Sequence, residues 1–214
     1  CHSSLGILRA LESVGVQITV EGIGHLQGLK GPCVIIANHM SMLETVVLPI
    51  IVQPIRDVTF VVKQDLLEYP VFRHVMRSRD PIAVTRAHPR EDLKAVLEGG
   101  VERLQRGLSI ILFPQTTRMT TFDPSQFNSM GVKLAHRAKV PIVPLALRTD
   151  AWRNGRRLKD FGRIDRGRTV HFDFGLPMEV QGRGAEEHQT ILEFIQDRLR
   201  RWEAGESRCS ISTF

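Results

Sequence analysis

No stretch of the 214-residue chain reaches the roughly 18 to 20 consecutive apolar residues that a bilayer-spanning helix needs. The longest apolar stretch, Val46 to Val52, is broken by Pro49. Cysteine is scarce: Cys1, Cys33 and Cys209 are odd in number, far apart and without metal-ligand spacing. That argues against a disulfide framework and a zinc site, and makes a reducing compartment the expectation. Aromatics are few, with one Tyr and two Trp and no repeated basic-aromatic pattern, so nucleic acid is not an expected partner. Neither a Gly-x-Ser-x-Gly elbow nor a phosphate-binding P-loop occurs. The chain has no internal repeat and no low-complexity segment. Its first residue is Cys1 rather than methionine, so a further segment is expected upstream, with a leader or a membrane anchor left open.

What is present describes an ordinary globular chain, 42% hydrophobic and 24% charged. Its length suits one domain over residues 1–214 rather than two. Basic residues exceed acidic ones to give a formal charge of +6. That balance suits an anionic partner: a phosphorylated substrate, an acidic carrier or a membrane surface.

The most informative stretch is Ile35-Ile36-Ala37-Asn38-His39-Met40-Ser41-Met42-Leu43-Glu44. Cys33 to Ala37 reads as a short buried strand that exits at Asn38-His39. A helix from about Ser41 to Val52 follows, with Ser41 able to cap it and Glu44 in its first turn. A histidine at a strand-to-helix turn with a carboxylate close behind can be an oriented general base; it can equally be a satisfied polar residue. Five residues do not share a helix face, so the two groups meet only if His39 lies outside the helix and turns back toward Glu44.

Residues 4 to 14 place Leu5, Leu8, Leu11 and Val14 at three-residue intervals, a short amphipathic helix ended by Gly15 and expected to pack on the core. Val16 to Val20 alternates as a strand, and Gly22 to Gly31 is a glycine-rich connection. Val58 to Val62, ending at Lys63, reads as a buried strand. A helical pattern over 64 to 77 carries a kink at Pro70. Pro81 to Thr85 is a strand ending at Arg86. Pro89 opens a helix that closes at Gly107, weakened by Gly99-Gly100. Leu108 to Phe113 is an apolar strand, followed by a polar loop. Residues 129 to 139 form a helix, 141 to 147 and 170 to 174 strands, and about 186 to 203 a last helix.

Strands alternating with helices predict an α/β fold: a largely parallel mixed sheet flanked by helices. Four strands end in polar residues: Asn38-His39, Lys63, Arg86 and Pro114-Gln115-Thr116-Thr117-Arg118. If they are parallel, all four endings meet on one rim, where such sheets carry their reactive groups. An imidazole, a carboxylate and the cations Lys63, Arg86 and Arg118 could deprotonate a hydroxyl while holding a phosphate-bearing partner. Each arginine taken singly reads equally as a solvated surface residue. His39 has no metal-ligand partners at short spacing, so no metal is expected.

These residues carry a resemblance. Asn38-His39 with Glu44, then Phe113-Pro114-Gln115-Thr116-Thr117-Arg118, then Val140-Pro141-Ile142-Val143-Pro144 are similar, in order, to motifs of the glycerolipid acyltransferase family, which includes the 1-acylglycerol-3-phosphate acyltransferases. The family's versions are Asn-His-x4-Asp, Phe-Pro-Glu-Gly-Thr-Arg and Val-Pro-Ile-Val-Pro. Lys63 with Leu66 and Pro70 resembles a further family segment, and Arg86 falls where the second motif ends in arginine. The match covers about residues 15 to 148, leaving a C-terminal strand and helix over about 168 to 203.

The resemblance implies a glycerol-3-phosphate acyltransferase-like fold and transfer of an acyl group from acyl-CoA or acyl-carrier protein to a lysophospholipid hydroxyl. His39 would be the general base and Glu44 its orienting acid. Arg118 and Arg86 would bind the acceptor's phosphate with Lys63 in support, and Gln115, Thr116 and Thr117 would line the same substrate site. No cofactor is implied, since the thioester is a substrate. The implied location is the cytoplasmic face of a membrane, peripherally held or anchored by a segment outside this chain. Arg153, Arg156, Arg157, Lys159, Arg163, Arg166 and Arg168 offer a basic stretch for anionic headgroups or an acidic carrier, or else a solvated loop. Departures from the motifs are Glu44 for aspartate, Gln115 for glutamate, Thr116 for glycine and Asn128 for a usual lysine. The last three cluster in the acceptor-binding part, which leaves two further readings: acylation of a non-phosphate acceptor, and a non-catalytic lipid-binding member.

Overall fold

The computed structural model describes residues 13, 15–67, 80–85, 87–115, 117–152, 155 and 162–205. Seven strands form one sheet in the order β1-β7-β6-β2-β5-β3-β4. They are β1 (Ile18–Glu21), β2 (Val34–Ala37), β3 (Val58–Lys63), β4 (Ile82–Val84), β5 (Ser109–Leu112), β6 (Ile142–Arg148) and β7 (Val170–Phe174). The helices are α1 (Gly24–Gln27), α2 (Leu43–Val52), α3 (Pro89–Gln105), α4 (Met130–Ala138) and α5 (Ala185–Glu203).

Strands β4, β3, β5, β2 and β6 pair in parallel. β7 pairs antiparallel with β6, and β1 runs parallel to β7. The polar exits of β2, β3, β4 and β5 therefore lie on one rim, as expected, and the exit of β6 joins them. Strands β2, β5 and β6 of the block are buried on both faces, which is why the sequence shows continuous apolar runs there rather than alternation. Along β2, Ile35 and Ala37 join one core with α2, which contributes Leu43, Val47 and Leu48. Val34 and Ile36 face the other, where Val96 of α3, Leu134 of α4 and Ile191 of α5 pack.

Boundaries shift from the sequence reading by a residue or two, as frayed ends do. The helix expected from Ser41 begins at Leu43, and Ser41 caps it from outside: its Oγ accepts the Leu43 N–H at 3.1 Å. The glycine-rich connection contains a helical turn, α1, that lacks an apolar period of readable length. Gly22 is obligatory there: at φ +66 a Cβ would sit 1.9 Å from the Phe174 carbonyl oxygen. The helical pattern at 64 to 77 begins as a 3₁₀ turn over Gln64–Leu67. Its remainder, with Pro70, lies outside the described residues, as do nearly all of the expected helix at 4 to 14, Arg86, Thr116, and Arg153, Arg156, Arg157 and Lys159. Among the described residues no helix is long and apolar enough to cross a membrane.

Candidate active site

The rim site is built on two chain segments that leave adjacent strands. Beyond β2, Asn38 clamps to β6: its Nδ2 donates to the Leu147 carbonyl at 2.8 Å, and its Oδ1 accepts the Leu147 N–H at 2.9 Å. This reciprocal pair extends the β2–β6 ladder through a side chain and fixes where the chain turns. His39 follows, 7% exposed, with its main-chain N–H donating to Oε1 of Gln115 at 2.6 Å. Gln115 lies beyond the adjacent β5, so the side chain next to the arginine loop sets the backbone at the histidine. The Met119 N–H returns the tie by donating to the His39 carbonyl at 2.9 Å.

The imidazole does turn back on α2. Its Nδ1 lies 2.8 Å from Oε1 of Glu44, and its ring stacks on Phe113 at 4.4 Å between centroids. The same Oε1 accepts the N–H groups of Met40 at 2.7 Å and Ser41 at 2.9 Å. Oε2 accepts from Ser41 Oγ at 3.0 Å and from Thr149 Oγ1 at 2.6 Å. Glu44 is fully buried. Burial opposes its charge most strongly, yet the hydrogen bond and charge of His39, the Thr149 hydroxyl and the Ser41 N–H together hold its pKa below the ordinary carboxylate value. With Glu44 ionised and accepting, Nδ1 carries the ring proton and Nε2 keeps its lone pair. Such a ring is a base of fixed tautomer.

The other expected residues divide. Arg118 reaches the same loop, with Nη2 3.4 Å from Met42 Sδ. Thr117 is exposed. Lys63 ends β3, two strands from β2 in the sheet order, and pairs with Asp65. Of the basic stretch, Arg168 pairs with Asp150 and, at 3.4 Å, with Asp165. Asn128 caps α4 from outside, accepting the Met130 N–H at 2.9 Å and donating to the Pro114 carbonyl. Among the described residues no group of three His, Cys, Asp or Glu could hold a metal ion.

Two clefts adjoin the histidine loop. One, of about 290 Å³, has an apolar floor of Val61, Val84, Leu112 and Phe113, with Gln115 at its edge. The other, of about 510 Å³, is of mixed character, lined by Met40, Phe122, Trp152, Arg148, Asp150 and Arg168 among others. Phe113 and Thr149 were not singled out in the sequence. Phe113 belongs to a recognisable motif. Thr149 carries no local signal, because it is 105 residues from its partner.

Known proteins resemble this chain over much of its length. The family described as Acyltransferase matches residues 17–148. A 1-acyl-sn-glycerol-3-phosphate acyltransferase of Pseudomonas aeruginosa is 30% identical over 146 residues, covering 68% of this chain and 54% of the relative. One from Limnanthes douglasii is 28% identical over 143 residues, covering 66% and 49%. The chain thus spans about half the length of the curated relatives it matches. The crystal structure of the 1-acyl-sn-glycerophosphate (LPA) acyltransferase PlsC from Thermotoga maritima superposes with a TM-score of 0.63 at 22% identity, covering 95% of this chain and 78% of that one.

Proposed function

The chain belongs to the acyltransferase family, and from that membership and the rim geometry we propose that it moves a fatty acyl group from an acyl thioester to the hydroxyl of a lysophospholipid such as 1-acylglycerol-3-phosphate. The observation that carries this reading is the 2.8 Å contact between His39 Nδ1 and an ionised, buried Glu44, which leaves Nε2 as the proton acceptor. In the reaction the acceptor O–H gives its proton to Nε2 while its oxygen attacks the thioester carbonyl carbon. The tetrahedral intermediate then expels the thiolate, which takes the proton back from the imidazolium and leaves as free thiol. The carboxylate of Glu44 stabilises the imidazolium during the interval between these proton transfers, and no acyl-enzyme forms.

The apolar cleft beside Phe113 suits an acyl chain, and the guanidinium of Arg118 suits the acceptor's phosphate as a bidentate donor. The acyl donor is the thioester of coenzyme A or of carrier protein. The lipid acceptor is taken from a membrane surface, which the net charge of +6 favours when that surface is anionic.

The test is thiol release from acyl-CoA or acyl-carrier protein with 1-acylglycerol-3-phosphate presented in vesicles, compared with an uncharged monoacylglycerol. Arg118→Ala should raise KM for the phosphorylated acceptor and leave the uncharged one unaffected. An equal loss on both acceptors removes phosphate recognition from Arg118, and release with neither removes acyl transfer.

A further inference from the structure

We propose that Thr149, at the exit of β6, is a positioning residue for the His39–Glu44 pair, its hydroxyl pinning Oε2 of Glu44 so that Oε1 stays aimed at the imidazole. The role rests on the acyl-transfer reading above, but the contacts that define it do not.

Thr149 is fully buried and its Oγ1 lies 2.6 Å from Oε2, the shortest of the hydrogen bonds to this carboxylate. Ser41 Oγ also approaches Oε2, at 3.0 Å, but it lies 2.9 Å from Thr149 Oγ1 as well. A serine has one proton for these two acceptors, so its bond to Glu44 is shared. Ser41 Oγ also accepts the Leu43 N–H at 3.1 Å. The Thr149 hydroxyl, 2.6 Å from Oε2, donates to the ionised carboxylate, a stronger acceptor than the neutral serine oxygen. It is the donor that Oε2 keeps whichever way the serine hydroxyl rotates.

Oε1 is held by the Met40 and Ser41 N–H groups, and the bond from Thr149 adds a hold on Oε2 at the other end of the carboxylate, whose terminal torsion is otherwise broad. Glu44 is one methylene longer than the aspartate of the resembled motif and has that extra torsion to control. Thr149 controls it from a different element: the bond spans 105 residues and ties the start of α2 to the end of β6. Asn38 ties β2 to the same strand end through Leu147. β6 thus fixes the histidine loop on one side and its carboxylate on the other.

The experiment compares Thr149→Val, which removes the hydroxyl at nearly constant volume, with Thr149→Ser, which restores it. Thr149→Val should lower kcat by about 10- to 100-fold, the loss of a charge-assisted hydrogen bond, with KM little changed. Thr149→Ser should recover turnover. The Nδ1 proton resonance of His39, read in the unliganded protein, should broaden or move upfield in the valine variant and stay in place in the serine variant. Wild-type kcat in Thr149→Val, while His39→Ala is inactive, overturns the role. If His39→Ala is as active as wild type, the general-base role of His39 fails instead, and if wild type releases no thiol with either acceptor, the acyl-transfer reading fails. The Nδ1 resonance then decides the positioning claim alone, and an unchanged signal in Thr149→Val rejects it.

Discussion

At the scale of single residues, the pair that could be read in the sequence is the local one. His39 and Glu44 are five positions apart, and one turn brings them together without help from the rest of the chain. Two of the groups that hold them, Gln115 and Thr149, were not legible, because their contacts are made across strands. Gln115 stood out as a departure from a motif, yet its observed contact is an acceptor for the His39 N–H, 76 residues away. That contact predicts an asymmetry between two substitutions. Gln115→Ala leaves a buried N–H unpaired, which costs about 1–3 kcal/mol, and should reduce turnover by roughly tenfold. Gln115→Glu keeps an acceptor at the same place and should retain most of the activity. Steady-state kinetics on both variants checks this, and an alanine variant at full activity would show that the bond does not set the loop.

At the scale of elements, strong periodicity located the helices, and local composition misjudged one of their interfaces. Gly99-Gly100 reads as a weak point in α3. In the fold Gly100 is where α3 meets α4, and a Cβ there would lie 2.6 Å from Leu134 Cδ1 in the core. Gly100 marks close packing, which no single-helix pattern reveals. Gly100→Ala gains helix propensity of about 1 kcal/mol but overpacks a filled core at about 1–3 kcal/mol. Because Leu134 is itself fully buried and has little room to yield, overpacking should win. Chemical denaturation should give a lower midpoint with an unchanged slope; a higher midpoint would mean that the leucine rotates away freely.

At the scale of the whole molecule, the alternation of strands and helices predicted a mostly parallel sheet, and the convergence of β2, β3, β4 and β5 exits followed from it. Which strands run the other way was not legible, since β7 and β1 look like any apolar strand until their partners are known. Their antiparallel course brings the start of β7 to the rim, and with it His171. This residue is buried, stacks on Trp202 of α5 at 4.8 Å and meets Thr19 Oγ1 at 2.7 Å. Burial, with the charge of Arg148 behind it, lowers its pKa to about 4, against an opposing pull from Asp150. In the unfolded chain the imidazole titrates near 6.5, so below that value the unfolded state binds the extra proton first. Its contribution to stability is therefore complete above about pH 6.5 and is lost between there and about pH 4. Thermal unfolding across that window should show stability falling by on the order of 2 kcal/mol from this group. A His171→Gln variant should lose that part of the slope, and an identical slope in both proteins would contradict the assignment.

The central claim is that one histidine, held by one buried carboxylate, removes the acceptor's proton. The most direct measurement is single-turnover thiol release from an acyl thioester in the presence of 1-acylglycerol-3-phosphate, wild type against His39→Ala, with both proteins shown to be folded. The account predicts release by wild type and a loss in the variant of at least about a hundredfold, the scale of general-base catalysis. Equal release by the two proteins would contradict it.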